Sequence, residues 1–211
     1  MSDTVNVREA AGTDVDAAVT LWTLSHVVRR NGRPLPDAHV VLARQRMSSP
    51  DSLLLIADGP ASRPESGSEP GSDPGDGSEP APVARPGSGT GAPDVELIGT
   101  ILAVPGLSQD GAGPPVPGLL HVSLLSVAPD RWGRHVGRLL VEAVLTRGAA
   151  DGYQEAQLWT HADNLRANRL YKAMGFRRSG RVRVDDWGEL LVHYRRSLTD
   201  LPLAATVPRQ R

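Results

Sequence analysis

The stretch VAPDRWGRHVGRLLVEAV, residues 127–144, sets two glycines, Gly133 and Gly137, among Arg134, His135, Val136 and Arg138 where two kinds of local pattern meet. After it, Val136, Leu139, Leu140, Ala143 and Val144 recur at the spacing of a helix with one buried face, so a helix begins near His135. Before it, GLLHVSLLSV (118–127) is short, nearly continuous in apolar residues and bounded by Gly and Pro, as a buried strand would be. The first-turn N–H groups of a helix lack internal partners and sit at the positive end of its dipole, so a glycine loop feeding such a turn can hold a phosphate. Neither the dinucleotide pattern G-x-G-x-x-G nor the triphosphate loop G-x-x-x-x-G-K-[ST] is present. The two glycines by themselves are equally consistent with an ordinary turn.

The elements that must position this loop read as follows. A short strand near VNVREA precedes helices near 14–29 and 37–47, then strands at 52–57, 95–104 and 119–127. A helix at 136–150, a strand at 155–160, a helix at 163–174 and two last strands near 177–184 and 189–197 complete the order. This alternation predicts an α/β (α+β) fold with a mixed central sheet flanked by helices, in one domain spanning 1–211. Residues 59–94 contain eight Pro, eight Gly and a single Val, with no aromatic or other large apolar side chain. Such a segment cannot offset the entropy of ordering and is expected to be a disordered insert in a strand-strand loop. A second loop is expected at 105–118, and a flexible tail at 199–211.

Composition removes several function classes. A chain of 211 residues with 39 % apolar composition supports one core. The net charge of −1 leaves no global nucleic-acid footprint, and the absence of cysteine excludes disulfides, thiolate metal sites and Cys nucleophiles. No metal site is expected. With no apolar run of membrane-spanning length and an acid-containing N-terminus, the expectation is a cytoplasmic protein without a membrane partner.

Downstream, HADNLRANRLYKAMGFRR (161–178) puts Ala167, Leu170, Tyr171 and Met174 on one helix face, with Asp163 or Asn164 able to cap its start and Gly175 its end. Asn164, Ala167, Tyr171, Gly175 and Phe176 resemble the N-x-x-A-x-x-x-Y-x-x-x-G-F signature of the GCN5-related N-acetyltransferase (GNAT) superfamily. The strand and P-x-x-x-G-x-x-x-G loop ahead of it resemble that family's acetyl-CoA motif, in the family's order and separation. The resemblance implies a sheet with a splayed strand pair and acetyl-CoA as acetyl donor. Its pyrophosphate would lie on main-chain N–H groups of residues 133–138, and its pantetheine arm on the main chain of Leu125, Ser126 and Val127. Two positions depart from the family's Q/R-x-x-G-x-G/A form: Trp132 stands at the Gln/Arg and His135 at the first glycine, so His135 must accept dihedrals usually given to Gly.

The implied reaction is direct attack of a neutral amine on the thioester in a ternary complex. Tyr171 matches the family's general acid and Asn164 a cofactor-contacting position. In a histone-acetylating branch the base is a glutamate on the strand before the loop, which corresponds here to His121. His193, Glu96 and Glu189 are weaker alternatives, as is a water relay. Where ribosomal-protein acetylating relatives carry a glutamate on the next strand, this chain has Trp159. The acceptor is expected to be a small-molecule amine; a peptide acceptor, or a coenzyme-binding module without catalysis, are the alternatives. Trp22, Asp185, Asp186, Trp187 and Glu189 could suit a cationic acceptor. A homodimer is compatible with the family.

Overall fold

The computed structural model describes residues 4–61 and 95–200. In chain order the elements are β1 (Asn6–Glu9), α1 (Val15–Arg29), α2 (Asp37–Met47), β2 (Leu53–Pro60), β3 (Val95–Leu107), β4 (Pro115–Val127), α3 (Val136–Ala150), β5 (Glu155–His161), α4 (Leu165–Ala173), β6 (Arg177–Val184) and β7 (Leu190–Ser197). The seven strands form one sheet in the order β1-β2-β3-β4-β5-β7-β6. Every neighbouring pair is antiparallel except β4 and β5, which run parallel. Helices cover both faces, so the mixed α/β architecture read from the sequence is the one observed.

Each face has its own core. On one, Leu55, Ile101, Leu120, Val122, Leu158 and Tyr194 meet Val136, Leu140, Val141, Val144 and Leu145 of α3 and Tyr171 and Met174 of α4. On the other, Leu54 and Leu102 meet Ala18, Val19 and Trp22 of α1 and Ala43 and Met47 of α2. The buried face of α3 is rotated from the expected one: Val141 and Leu145 are buried, whereas Leu139 is exposed. The reason is the approach of α3 to the sheet at two glycines. A Cβ on Gly148 would lie 2.6 Å from Leu120 Cδ2, and one on Gly99 would lie 2.8 Å from Leu140 Cδ1. Those two contacts set which side of the helix faces down.

The strands around the expected loops are longer than periodicity predicts. Gly59 and Pro60 belong to β2 and pair with Glu96 and Val95, because a Cβ at Gly59 would strike Ile98 Cδ1 at 2.6 Å and only glycine admits that packing. The first two residues of the insert expected at 59–94 are therefore strand; residues 62–94, and 201–211 of the tail expected at 199–211, lie outside the described residues. The loop expected at 105–118 shrinks to 108–114, since β3 continues through Pro105 and β4 starts at Pro115. The register shifts between Pro105 and Leu107, an irregularity at which prolines without N–H groups are tolerated. Helix α4 is a little shorter at both ends than 163–174. Among the described residues no helix is long and apolar enough to cross a membrane.

Candidate active site

Strands β4 and β5 pair only at Leu119–Glu155, Leu120–Ala156 and His121–Gln157. Beyond that rung β4 continues to Val127 and β5 to His161 without pairing each other, which opens a slot through the sheet. The cause is visible in the register of β4 against β3. Thr100 faces Ser126 and Leu102 faces Ser123, so Leu124 and Leu125 together oppose the single residue Ile101. Leu124 takes a left-handed φ of 49° at this bulge. An extra residue bends a strand and re-aims its side chains. Here Leu124 packs with the α1–α2 core and Leu125 with the α3–α4 core.

At the far end of β4 the chain passes through a 3-10 turn at Pro129–Arg131 into α3. Gly133 has φ 82° and His135 φ 63°, so His135 does adopt the left-handed conformation expected of it. The N–H groups of Arg134 and Arg138 bond inside the turn, to Arg131 O at 3.3 Å and His135 O at 2.9 Å. This amends the expectation for 133–138: among the described residues, the main-chain donors left for an anion are those of Gly133, His135, Val136 and Gly137. Trp132, at the position of the family's Gln or Arg, donates its indole N–H to Val127 O at 2.8 Å and carries the Arg166 guanidinium 4.1 Å above its ring. It braces strand, loop and α4 together. Val127 thereby spends one of its carbonyl lone pairs, which leaves less of its main chain for a pantetheine arm. Ser126 Oγ on β4 and Thr100 Oγ1 opposite it on β3 are buried with no hydrogen-bond partner among the described residues, so polar capacity remains where the two strands meet.

Asn164, rather than Asp163, caps α4, its Oδ1 accepting Ala167 N–H at 3.1 Å. Gly175, at φ 79°, ends the helix, with Phe176 N–H returning to Tyr171 O at 3.0 Å. Asn168 is the residue that pattern reading missed. Buried in α4, it donates to His161 O at 2.9 Å and Asn164 O at 2.8 Å and accepts the Tyr194 hydroxyl at 2.8 Å. This network ties the start of α4 to the end of β5. A polar residue in the interior of a helix pattern carries no signal that it will do so.

Tyr171 is buried, its ring edge-on to Phe176 at 5.8 Å, and its hydroxyl has no partner among the described residues. Burial raises its pKa, so the hydroxyl stays protonated and able to donate. His121 lies on the other face: its neighbours Leu120 and Val122 point into the α3–α4 core, so its side chain points to the α1–α2 side. The two candidates thus flank the slot rather than touch. His121 Nδ1 is buried without a hydrogen-bond partner among the described residues, and burial, with Arg46, Arg183 and His193, pushes its pKa down to about 4. It is neutral at pH 7 and can accept a hydrogen bond, but it is a weak base.

The other candidates are engaged. His193 accepts Ser179 Oγ–H at Nδ1 (2.7 Å) and donates from Nε2 to Gln157 Oε1 (3.1 Å), a satisfied neutral imidazole. Glu189 binds Arg29 Nη2 at 2.9 Å, Arg30 Nε at 3.2 Å and His161 Nε2 at 3.2 Å. Burial opposes its ionisation, but the Arg29 hydrogen bond and the charges of Arg29, His161 and Arg30 outweigh this and hold its carboxyl below the usual range. Asp185 Oδ1 accepts the N–H groups of Trp187 and Glu189, and its Oδ2 meets His161 at 3.1 Å. His161, Asp185 and Glu189 could surround a cation, but Arg29 and Arg30 already supply positive charge there. Trp187 is covered by Arg30 at 4.3 Å and His39 at 4.5 Å, and Trp22 is in the core. The expected cation-binding set is therefore spent on clamping the β6–β7 hairpin to α1 and α2. Glu96 stands exposed at the start of β3.

His26, His121 and His193 are each pushed down to about 4, chiefly by burial, from an ordinary 6.5. Between those values the unfolded chain binds protons that the folded chain does not, so these groups make stability fall as pH drops through that window and do nothing above it. Each can contribute a slope of about 1.4 kcal/mol per pH unit. Thermal unfolding should therefore show Tm declining below about pH 6.5, less steeply in His121→Gln. A Tm constant down to pH 5 would mean the imidazoles are not buried as neutral groups.

A cavity of about 420 Å³ bordered by Asp51, Pro105, Gly148 and Tyr153 sits at the opposite end of α3 from this turn and belongs to a different part of the molecule. The slot between β4 and β5, with a donor-rich helix start beside it, is the feature to compare with known proteins. Residues 76–176 match the Acetyltransferase (GNAT) family. The matched stretch takes in β3, β4, the turn, α3, β5 and α4, the elements that build the slot. Solved structures agree on the fold. The ribosomal-protein-S18-alanine N-acetyltransferase of Escherichia coli is 14 % identical with a TM-score of 0.57, over 97 % of this chain and 100 % of that one. A GCN5-related N-acetyltransferase of Kribbella flavida is 18 % identical with a TM-score of 0.58, over 92 % and 97 %. Arabidopsis thaliana NAA60 in complex with acetyl-CoA is 18 % identical with a TM-score of 0.58, over 92 % and 98 %. No curated protein matches the chain. Relative to that family's pattern, this chain's glycine positions are altered without loss of the turn, because His135 takes the left-handed conformation and Trp132 braces the loop.

Proposed function

We propose that this protein is a GNAT acetyltransferase that moves the acetyl group of acetyl-CoA to the primary amine of a small molecule by direct attack in a ternary complex. The observation that carries the reading is the slot: unpaired β4 and β5 main chain, an α3 turn with unbonded N–H groups at one end, and Tyr171 and His121 on its two faces. Pyrophosphate on Gly133, His135, Val136 and Gly137 would leave the pantetheine arm running along Leu125, Ser126 and Val127. Asn164, although occupied as a cap through Oδ1, keeps its amide N–H₂ for the cofactor.

The amine nitrogen attacks the thioester carbonyl, the C–N bond forms, and collapse of the tetrahedral adduct breaks the C–S bond. The departing thiolate takes a proton or hydrogen bond from Tyr171, and the nitrogen gives up its proton to His121 or to a water held there. Arg46 and Arg183 beside His121 disfavour an ammonium at this place and so favour the free amine, which reduces what a weak base must do. The clamped 185–189 hairpin closes one end of the acceptor side, which supports a small acceptor over an extended peptide. Free-thiol release from acetyl-CoA across a panel of small amines and peptides tests this. Release with peptides alone would move the assignment to a peptide acetyltransferase, and binding of acetyl-CoA with no release from any amine would favour a module without catalysis.

A further inference from the structure

The turn that opens α3 meets α4 at two neighbouring places. A Cβ on Gly137 would lie 3.4 Å from Leu170 Cδ2, so the first turn of α3 packs against the Leu170 face of α4. Arg166 comes four residues before Leu170 and shares that face, one turn nearer the start of the helix. Its guanidinium lies 4.1 Å from the centre of the Trp132 ring, and Trp132 immediately precedes Gly133. A cation from α4 is thus held beside the turn whose main-chain donors are those of Gly133, His135, Val136 and Gly137. That cation has no ion pair among the described residues. The acids next to the two segments are drawn elsewhere, Asp130 to Arg131 Nε at 3.1 Å and Asp163 to Arg29 Nη1 at 3.5 Å. Arg138, in the same turn, is tied to Glu142 at 2.8 Å. Arg166 is exposed, so a ligand can reach its N–H edges while the indole holds the guanidinium plane.

We propose that Arg166 binds the pyrophosphate of the coenzyme, with Trp132 as the platform that orients it. The family's form keeps a Gln or Arg inside the loop, at the position of Trp132. In this chain the loop carries the platform instead, and α4 returns a cation to the same place. This deepens the acetyl-CoA reading above and rests on it. A pyrophosphate suits the arrangement because the main-chain N–H groups supply directional donors without a full charge, and a guanidinium adds that charge with two parallel N–H donors. Lysine would serve less well, since an ammonium has no plane to stack on the indole.

Calorimetry tests this without turnover, with coenzyme A and dephospho-coenzyme A as ligands. Arg166→Gln is expected to weaken coenzyme A by about 10- to 100-fold, the range for a charge-assisted hydrogen bond. The Tm of the free protein should stay unchanged, because the residue is exposed. The same loss is expected with dephospho-coenzyme A, which lacks the ribose phosphate but keeps the pyrophosphate. Arg166→Lys should recover part of the affinity, and added salt should narrow the gap between parent and Gln variant. Arg169→Gln, an exposed charge on the same helix, should stay within about twofold of the parent. Equal binding of coenzyme A by the parent and Arg166→Gln would overturn the proposal. So would a loss confined to the ligand that bears the ribose phosphate, an equal loss in Arg169→Gln, or a lysine variant no better than glutamine. A parent that binds neither ligand would sink the acetyl-CoA reading itself, which separates that failure from the failure of Arg166 alone.

Discussion

Tyr171→Phe is expected to lower kcat by about 10²- to 10⁴-fold, the range for loss of a positioned acid, with little change in acetyl-CoA affinity or in Tm. The ring's packing against Phe176 and Tyr194 is retained in phenylalanine, and the hydroxyl has no protein partner among the described residues whose loss would cost stability. Burial keeps that hydroxyl protonated, and the charge it meets exists only once the thioester begins to break, so the loss belongs to the chemical step. A contact to a neutral ground-state group would be worth only about 0.5 to 1.5 kcal/mol, and the two roles separate by size. Single-turnover rates at saturating acetyl-CoA decide between them. A phenylalanine variant within about twofold of the parent would remove Tyr171 from the mechanism and leave solvent to supply the proton.

Gly137→Glu should abolish the rise in Tm that acetyl-CoA produces by linkage, corresponding to a loss of at least about 100-fold in affinity, or about 2.7 kcal/mol. The fold should survive the change. A Cβ at this position would lie 3.4 Å from Leu170 Cδ2 and 3.7 Å from Val127 Cγ2, contacts that need at most a small adjustment. A carboxylate in the first turn of a helix is, if anything, favourable to it by about 0.3 to 1 kcal/mol. The same charge, placed between the end of β4 and α4 among the N–H groups of Gly133, His135 and Val136, competes directly with pyrophosphate. Thermal shift with and without acetyl-CoA checks this in one experiment. If the variant is folded and shifts as the parent does, the coenzyme phosphates lie elsewhere.

Local pattern carried much of the fold because each element needs only its own period and its own ends. The helix over 136–150 was legible from spacing, and the start and stop of α4 from Asn164 and Gly175, since a cap acts on N–H and C=O groups within one turn. The strained His135 was legible too, because a side chain at a glycine position must either adopt a left-handed φ or unmake the turn.

What the sequence by itself determined about this protein is thus the order of elements, the glycine turn that opens α3 and the set of candidate residues. Only the tertiary structure decided which of those residues face each other. Arg29 ends α1, Arg30 follows it and Glu189 comes from the last hairpin, far apart in the chain, and nothing in either segment announces that they neutralise one another. The parity of β4 depends on one extra residue at Leu124, which puts His121 on the α1–α2 side and Leu125 on the other; a one-residue shift in a strand reverses every face after it. Arg181 and Arg183 read as solvated positions in an edge strand, and both guanidinium groups come to lie near the Trp159 ring because β7 sits between β5 and β6 in the sheet. Such juxtapositions are fixed by long-range pairing and packing, whose energies are summed over the whole chain and leave no trace in any short window of it.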